Sequence, residues 1–173
     1  WVSSSNAAPG IDAMARVYVS VGSNMDRERH VSSALHELAR EYGDLQQSTI
    51  FETEAIGFSG ALFYNLVVAF ETPQSPQEVA TALNRIEDAH GRDRRGGKFG
   101  DRSLDLDLLL YDDAVIDQPG LRLPRPEILE YAFVLRPLAE IAADRKHPVT
   151  GETFAALWER FDAASQPMWP LEK

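Results

Sequence analysis

The chain has 173 residues, 44% hydrophobic and 25% charged, which suits one globular domain and contains no run near the ~20 apolar residues a membrane span needs. Cysteine is absent, which excludes disulfides, thiolate metal sites and cysteine nucleophiles and fits a reducing compartment. A net charge of -10 excludes a chain whose main task is to hold nucleic-acid backbone, but leaves room for a small anion at a local basic patch.

Residues 1–13 (WVSSSNAAPGIDA) show no periodicity and predict an appended or disordered leader, so that residues 14–173 form the single folded domain. They lack the basic start and apolar stretch of a signal peptide. Val17, Val19 and Val21 alternate with polar residues, as in a strand that ends at Gly22-Ser23-Asn24. Asp26 is placed to cap a helix in which Val31, Leu35, Leu38 and Tyr42 share a face, with Gly43 as its stop. Residues 45–53 predict a second strand, 54–61 a loop and 62–72 a strong third strand. Ser75-Pro76-Gln77-Glu78 is a capping box with proline at the first helical position, followed by the stripe Val79, Leu83, Ile86 and His90 up to Gly91. A basic, glycine-rich loop spans 92–102, and 103–111 predicts another strand. Residues 112–127 are rich in turn residues. Phe133–Ala143 is apolar and predicts a helix after Pro137, and Phe154, Leu157, Trp158 and Phe161 space like a last helix. The order β-α-β-β-α-β with helical additions predicts an α+β fold. Its form is a ferredoxin-like antiparallel sheet with helices packed on both faces, a three-layer α-β-α stack.

Asp105-Leu106-Asp107 carries the clearest chemistry. In a strand, residues i and i+2 point to the same face, so Leu104, Leu106, Leu108 and Leu110 are expected to face the core while both carboxylates stand together on the other side. Like charges that close raise each other's pKa, and a divalent cation relieves the repulsion; carboxylate oxygens suit Mg²⁺. A half-exposed strand with solvated acids is the alternative. The adjoining loop sets Arg92, Arg94, Arg95, Lys98 and Arg102 against Asp93 and Asp101. Cations beside a metal-binding pair are what phosphoryl transfer with a nucleotide needs, although a charge run is also a common solvated surface. Gly91-x₄-Gly96 is not a P-loop, since Gly97 stands where the lysine belongs. His30, His36, His90 and His147 fall on helix faces or in a turn, and no Gly-x-Ser-x-Gly occurs, so hydrolase chemistry is unsupported.

The stretch Gly100-Asp101-Arg102-Ser103-Leu104-Asp105-Leu106-Asp107-Leu108-Leu109-Leu110-Tyr111 resembles the signature of the 6-hydroxymethyl-7,8-dihydropterin pyrophosphokinase family of folate biosynthesis. The resemblance extends from Val17 to about Phe161. It includes Val21-Gly22-Ser23-Asn24, Phe63-Tyr64-Asn65, Arg85-Ile86-Glu87 with Gly91-Arg92, and Phe133-Val134-Leu135 with Pro137-Leu138-Ala139-Glu140-Ile141. It implies transfer of the terminal diphosphate of ATP to the pterin hydroxymethyl oxygen with release of AMP. On that basis Asp105 and Asp107 are expected to hold two Mg²⁺ ions, and Arg92 and Arg102 to contact the phosphates. Asp107 or a metal-bound water would then serve as base. Glu87, Arg94, Lys98, Leu108, Arg122 and Arg125 are expected around the nucleotide. Asn65 is expected to read the pterin edge, along with the chain near Thr53 and Ile56-Gly57. Phe133 is expected to stack on the ring, with Phe63 and Phe99 as further aromatics. Without the resemblance, the reading of Phe133 as a plain core residue is the favoured one.

Two positions depart from the family's pattern. Arg125 stands where a histidine is usual and Tyr131 where an arginine is usual; Glu54-Ala55 also replaces prolines in the pterin-side loop. Loss of one charged phosphate contact costs about 2–4 kcal/mol, and Arg122 or Arg136 is a candidate to compensate. The departures keep open a paralogue acting on another pterin-like alcohol or nucleotide. A non-catalytic pterin- or nucleotide-binding protein is the further alternative, disfavoured because the repelling acids are retained. The expected partners are ATP and a pterin, without nucleic acid or membrane, on a cytoplasmic monomer.

Overall fold

The computed structural model describes residues 14–55, 60–91 and 103–171. The predicted leader lies outside them. The apolar alternation of Ala15–Ser23 makes β1, which lies between β4 (Phe63–Thr72) and β5 (Asp105–Tyr111) and is buried nearly throughout. β2 (Gln46–Gln47) and β3 (Phe51–Thr53) both pair with β4, and β8 (Met168–Pro170) pairs with β3. The sheet order is β5-β1-β4-β3-β8, with every pairing antiparallel.

Alternation sends side chains to two cores. On one face Val17, Val19, Val21, Leu66 and Phe70 meet α1 (Arg27–Tyr42) and α2 (Pro76–Ala89) through Val31, Leu38, Val79 and Leu83. On the other face Tyr18, Val67, Ala69 and Leu109 meet α3 (Ala132–Ile141) and α4 (Phe154–Glu159) through Val134, Leu138, Phe154 and Leu157. This is the predicted three-layer α+β stack. Each fully buried large apolar side chain, such as Phe70 or Phe154, contributes about 1.5–3 kcal/mol to folding.

The capping box of α2 forms as predicted: Ser75 Oγ accepts from the Glu78 N–H at 3.1 Å, and Glu78 Oε1 accepts from the Ser75 N–H at 2.8 Å. Asp26 does precede α1, but its side chain makes no cap bond; its carboxylate takes Arg29 Nε at 2.6 Å instead. Four further expectations are corrected. The strand at 45–53 is two strands, because Ser48 Oγ takes the Val67 N–H at 2.9 Å, in place of a ladder carbonyl, and Thr49 turns to Glu140. The leucines of β5 do not all share a face. Val19 stands opposite Leu108 and Tyr18 opposite Leu110, so Leu109 is an extra residue, and this bulge carries Leu110 into the α3 side of the core. Within 112–127, Ile116–Gln118 (β6) and Leu121–Leu123 (β7) form a hairpin closed at Pro119-Gly120, with Gly120 at φ 80, and Pro126–Leu129 is a short 3-10 helix. Helix α3 starts at Ala132, before Pro137 rather than after it. Pro137 has no N–H to give the Phe133 carbonyl, and it is buried within the helix. Phe161 lies just beyond α4, stacked on Trp158 at 5.7 Å. Among the described residues no helix is long and apolar enough to cross a membrane.

Candidate active site

The pairing register builds the site. Asp105 on β5 stands beside Gly22 on β1, Gly22 beside Asn65 on β4, and Asn65 beside Phe51 on β3. Partners in register across a pleated sheet share a face, so an acidic end and an amide end lie in one row. Gly22 makes the row possible: a Cβ there would stand 2.7 Å from Asn65 Oδ1. The buried Asn65 donates from Nδ2 to Thr53 Oγ1 at 2.7 Å, which fixes the amide orientation and explains an asparagine in mid-strand.

At the acidic end a cavity of about 240 Å³ is lined by Glu87, Asp105, Asp107, Leu108, Arg122 and Arg125, among others. The structure thus gathers six of the predicted residues in one place. Glu87, buried in the last turn of α2, accepts the Leu106 N–H at 2.7 Å and so satisfies the outer edge of β5. Arg125 reaches Asp107 Oδ1 with Nη2 at 3.4 Å and Glu127 Oε1 with Nε at 3.5 Å; Arg122 pairs with Asp117 at 3.5 Å. Burial first, then the Asp105 charge, with smaller contributions from Glu87 and Glu127, pushes the Asp107 carboxyl up to about 7; Arg125 opposes them. Asp105 and Asp107 share a strand face, and Arg125 offsets only part of their repulsion, which favours a further cation. Among the described residues no group of three or more His, Asp or Glu is placed to hold a metal ion; Asp105 and Asp107 remain the candidate pair. One or two protein carboxylates, completed by water and phosphate, is the donor set Mg²⁺ takes.

At the amide end a smaller cavity of about 100 Å³ is lined by Thr53, Glu54, Phe133, Gln166 and Met168, among others. Phe63, half-buried, stands opposite Thr53 in the register. Phe133 lies in the first turn of α3 with Tyr131 stacked on it at 5.2 Å and 18° between planes. The unusual tyrosine thus props the aromatic expected to face the substrate. Gln166, which sequence reasoning missed, caps α3 from 34 residues away: Oε1 accepts the Ala132 N–H at 2.9 Å, and Nε2 donates to the Glu130 carbonyl at 3.0 Å. The only signal in the sequence was the lack of a capping residue at Tyr131. The predicted residues Ile56, Gly57, Arg92, Arg94, Lys98, Phe99 and Arg102 lie outside the described residues.

Residues 18–143 match the family model described as 7,8-dihydro-6-hydroxymethylpterin-pyrophosphokinase (HPPK). The chain belongs to this family. It is 36% identical over 139 residues to the 2-amino-4-hydroxy-6-hydroxymethyldihydropteridine pyrophosphokinase of Aquifex aeolicus, covering 79% of this chain and 86% of that one. It is 38% identical over 135 residues to the enzyme of the same name from Porphyromonas gingivalis, covering 75% and 92%. Against the folic acid synthesis protein fol1 of Pneumocystis carinii, identity is 34% over 159 residues, 90% of this chain but 21% of that one. Among solved structures, Plasmodium falciparum HPPK-DHPS aligns with a TM-score of 0.67 at 13% identity, over 85% of this chain and 45% of that one, a likeness of fold. The chain therefore spans most of its bacterial relatives and a minor part of the longer ones. It is an enzyme of the HPPK type, which moves a pyrophosphoryl group from ATP to hydroxymethyldihydropterin.

Proposed function

We propose that the two ends of the Asp105–Gly22–Asn65 row are the two halves of the transfer site, ATP at the carboxylates and the pterin at the amide. The observation that carries this reading is the shared row itself: two strand spacings separate Asp105 from Asn65, or about 10 Å, a distance that lets a pterin hydroxymethyl group meet a triphosphate.

Asp105 and Asp107 would hold two Mg²⁺ ions. Bound there, magnesium neutralises and orients the triphosphate so that the β-phosphorus is open to attack. The protein's part is positioning and charge. Asn65, held by Thr53, presents its amide to the pterin edge, and Phe133, backed by Tyr131, supplies a ring face. The pterin hydroxymethyl oxygen bonds to the β-phosphorus, the bond from that phosphorus to the α–β bridging oxygen breaks, and AMP leaves with that oxygen. The hydroxyl proton passes to solvent; the raised proton affinity of Asp107 belongs to its metal-free state and would be lost with a cation on its carboxylate. Arg92 and Arg102, from the basic loop, would contact the phosphates. Glu87 supports this end indirectly, by fixing β5 through Leu106. A cytoplasmic monomer is part of the same proposal.

The test is AMP release from Mg-ATP with 6-hydroxymethyl-7,8-dihydropterin, with the product mass measured. The expected result is pterin-dependent AMP together with a pterin diphosphate. Absence of AMP from a folded, Mg-ATP-binding protein would contradict this substrate pair. It would favour the diverged reading motivated by Arg125 and Tyr131, to be followed by a panel of pterin-like alcohols.

A further inference from the structure

Arg125 sits between two tasks. Its backbone N–H donates to the Leu109 carbonyl at 3.0 Å, which pins the residue alongside β5. Its guanidinium then reaches Asp107 and Glu127 at 3.4 and 3.5 Å, at or beyond the length of a good charge-assisted hydrogen bond. Nε is buried and has no hydrogen-bond partner. A buried guanidinium N–H left unbonded is costly, so this arrangement holds the side chain by charge without satisfying it. The same guanidinium lines the cavity that Asp105 and Asp107 share. Phosphate oxygens in that cavity would accept short charge-assisted bonds from the exposed part of the guanidinium, which the two carboxylates at these distances do not.

A divalent cation that coordinates Asp107 meets Arg125 as a like charge on the same carboxylate. A cation arriving with a triphosphate meets an Arg125 that has a better partner to turn to. We infer that Arg125 couples metal binding to nucleotide binding: it competes with a bare divalent cation for Asp107 and supports the same cation when a nucleotide phosphate takes the guanidinium. This rests on the Asp105–Asp107 pair being the metal site. It assigns to the residue that departs from the family pattern a role of opposite sign toward the two ligands. Metal alone is disfavoured, and the metal–nucleotide complex is favoured.

The experiment titrates the full chain with Mn²⁺ alone, and with Mn²⁺ plus α,β-methylene-ATP, whose carbon bridge blocks transfer. Free Mn²⁺ is followed by electron paramagnetic resonance and binding by calorimetry. Removing the competing charge with Arg125→Gln should tighten Mn²⁺ alone by about 5-fold, the scale of a partly exposed ion pair. The same change should weaken the metal–nucleotide complex by about 10-fold or more. Arg125→Lys keeps the charge and should leave Mn²⁺ alone within about twofold of the original chain. Affinities that move together in Arg125→Gln, or an unchanged affinity for Mn²⁺ alone, overturn the coupling. Asp107→Asn separates this from the underlying reading. If that variant binds Mn²⁺ as the original chain does, the metal assignment fails irrespective of Arg125.

Discussion

Asp107 concentrates the electrostatic tension of the site. It stands on one strand face with Asp105, near Glu87 and Glu127, and Arg125 offsets only part of the repulsion. Its carboxyl titrates near 7 in the folded protein against 3.8 ordinarily, so the folded state holds this proton over a range where the unfolded chain has lost it. Stability from this group is full below about pH 4 and is lost as pH rises to about 7. In metal-free buffer, Asp107→Asn is therefore expected to raise the thermal midpoint at pH 8 and to leave it unchanged at pH 3.5. A midpoint that falls at pH 8 would contradict the strain. The paired acids were legible in the sequence because a two-residue spacing fixes a shared strand face. The contact of Arg125 with Asp107 was not, because it depends on a hairpin and a backbone bond to Leu109 that bring a distant segment alongside β5. Nor was the role of Tyr131: a missing arginine charge is visible in a sequence, whereas a ring stacked on Phe133 is not.

Elements with strong local signals were readable, and those made by long-range pairing were not. The capping box of α2, the valine alternation of β1 and the glycine stop of α1 act within a few residues, and each formed as its residues require. Strand β8 contains Pro170, follows Pro167, and exists because β3 offers it a partner at the sheet edge. The start of α3 was hidden for a related reason. No residue at Tyr131 caps it, and Gln166 reaches back from the segment before β8 to do so. That segment lies beyond the residues that match the family model, yet it walls the cavity that Phe133 lines. Gln166→Ala should cost about 1 kcal/mol of stability as a lost cap. It should weaken pterin binding by about 5-fold as Phe133 loosens, and leave Mg-ATP affinity unchanged; parallel fluorescence titrations with each ligand measure the split. Equal losses for both ligands would place Gln166 in general stability alone.

At the scale of the whole molecule, the proposal puts both binding tasks on one sheet, with a glycine on β1, the strand between β5 and β4, where the two meet. The helices α1 and α2 pack on one face, and α3 and α4 on the other; in the Asp105–Gly22–Asn65 row, Gly22 and Asn65 are buried and Asp105 is half-buried. The three-layer fold was legible from element order. The candidate use of the row was legible only through the acidic pair and the family resemblance, since this fold serves many chemistries. The central claim is that the acidic pair holds the metal that holds the nucleotide. Calorimetric titration of ATP into the original chain and into Asp107→Ala, each with and without Mg²⁺, tests it most directly. The account predicts Mg²⁺-dependent binding by the original chain and a loss of about 30-fold or more in the variant. Equal Mg-ATP affinity in the two proteins would contradict it.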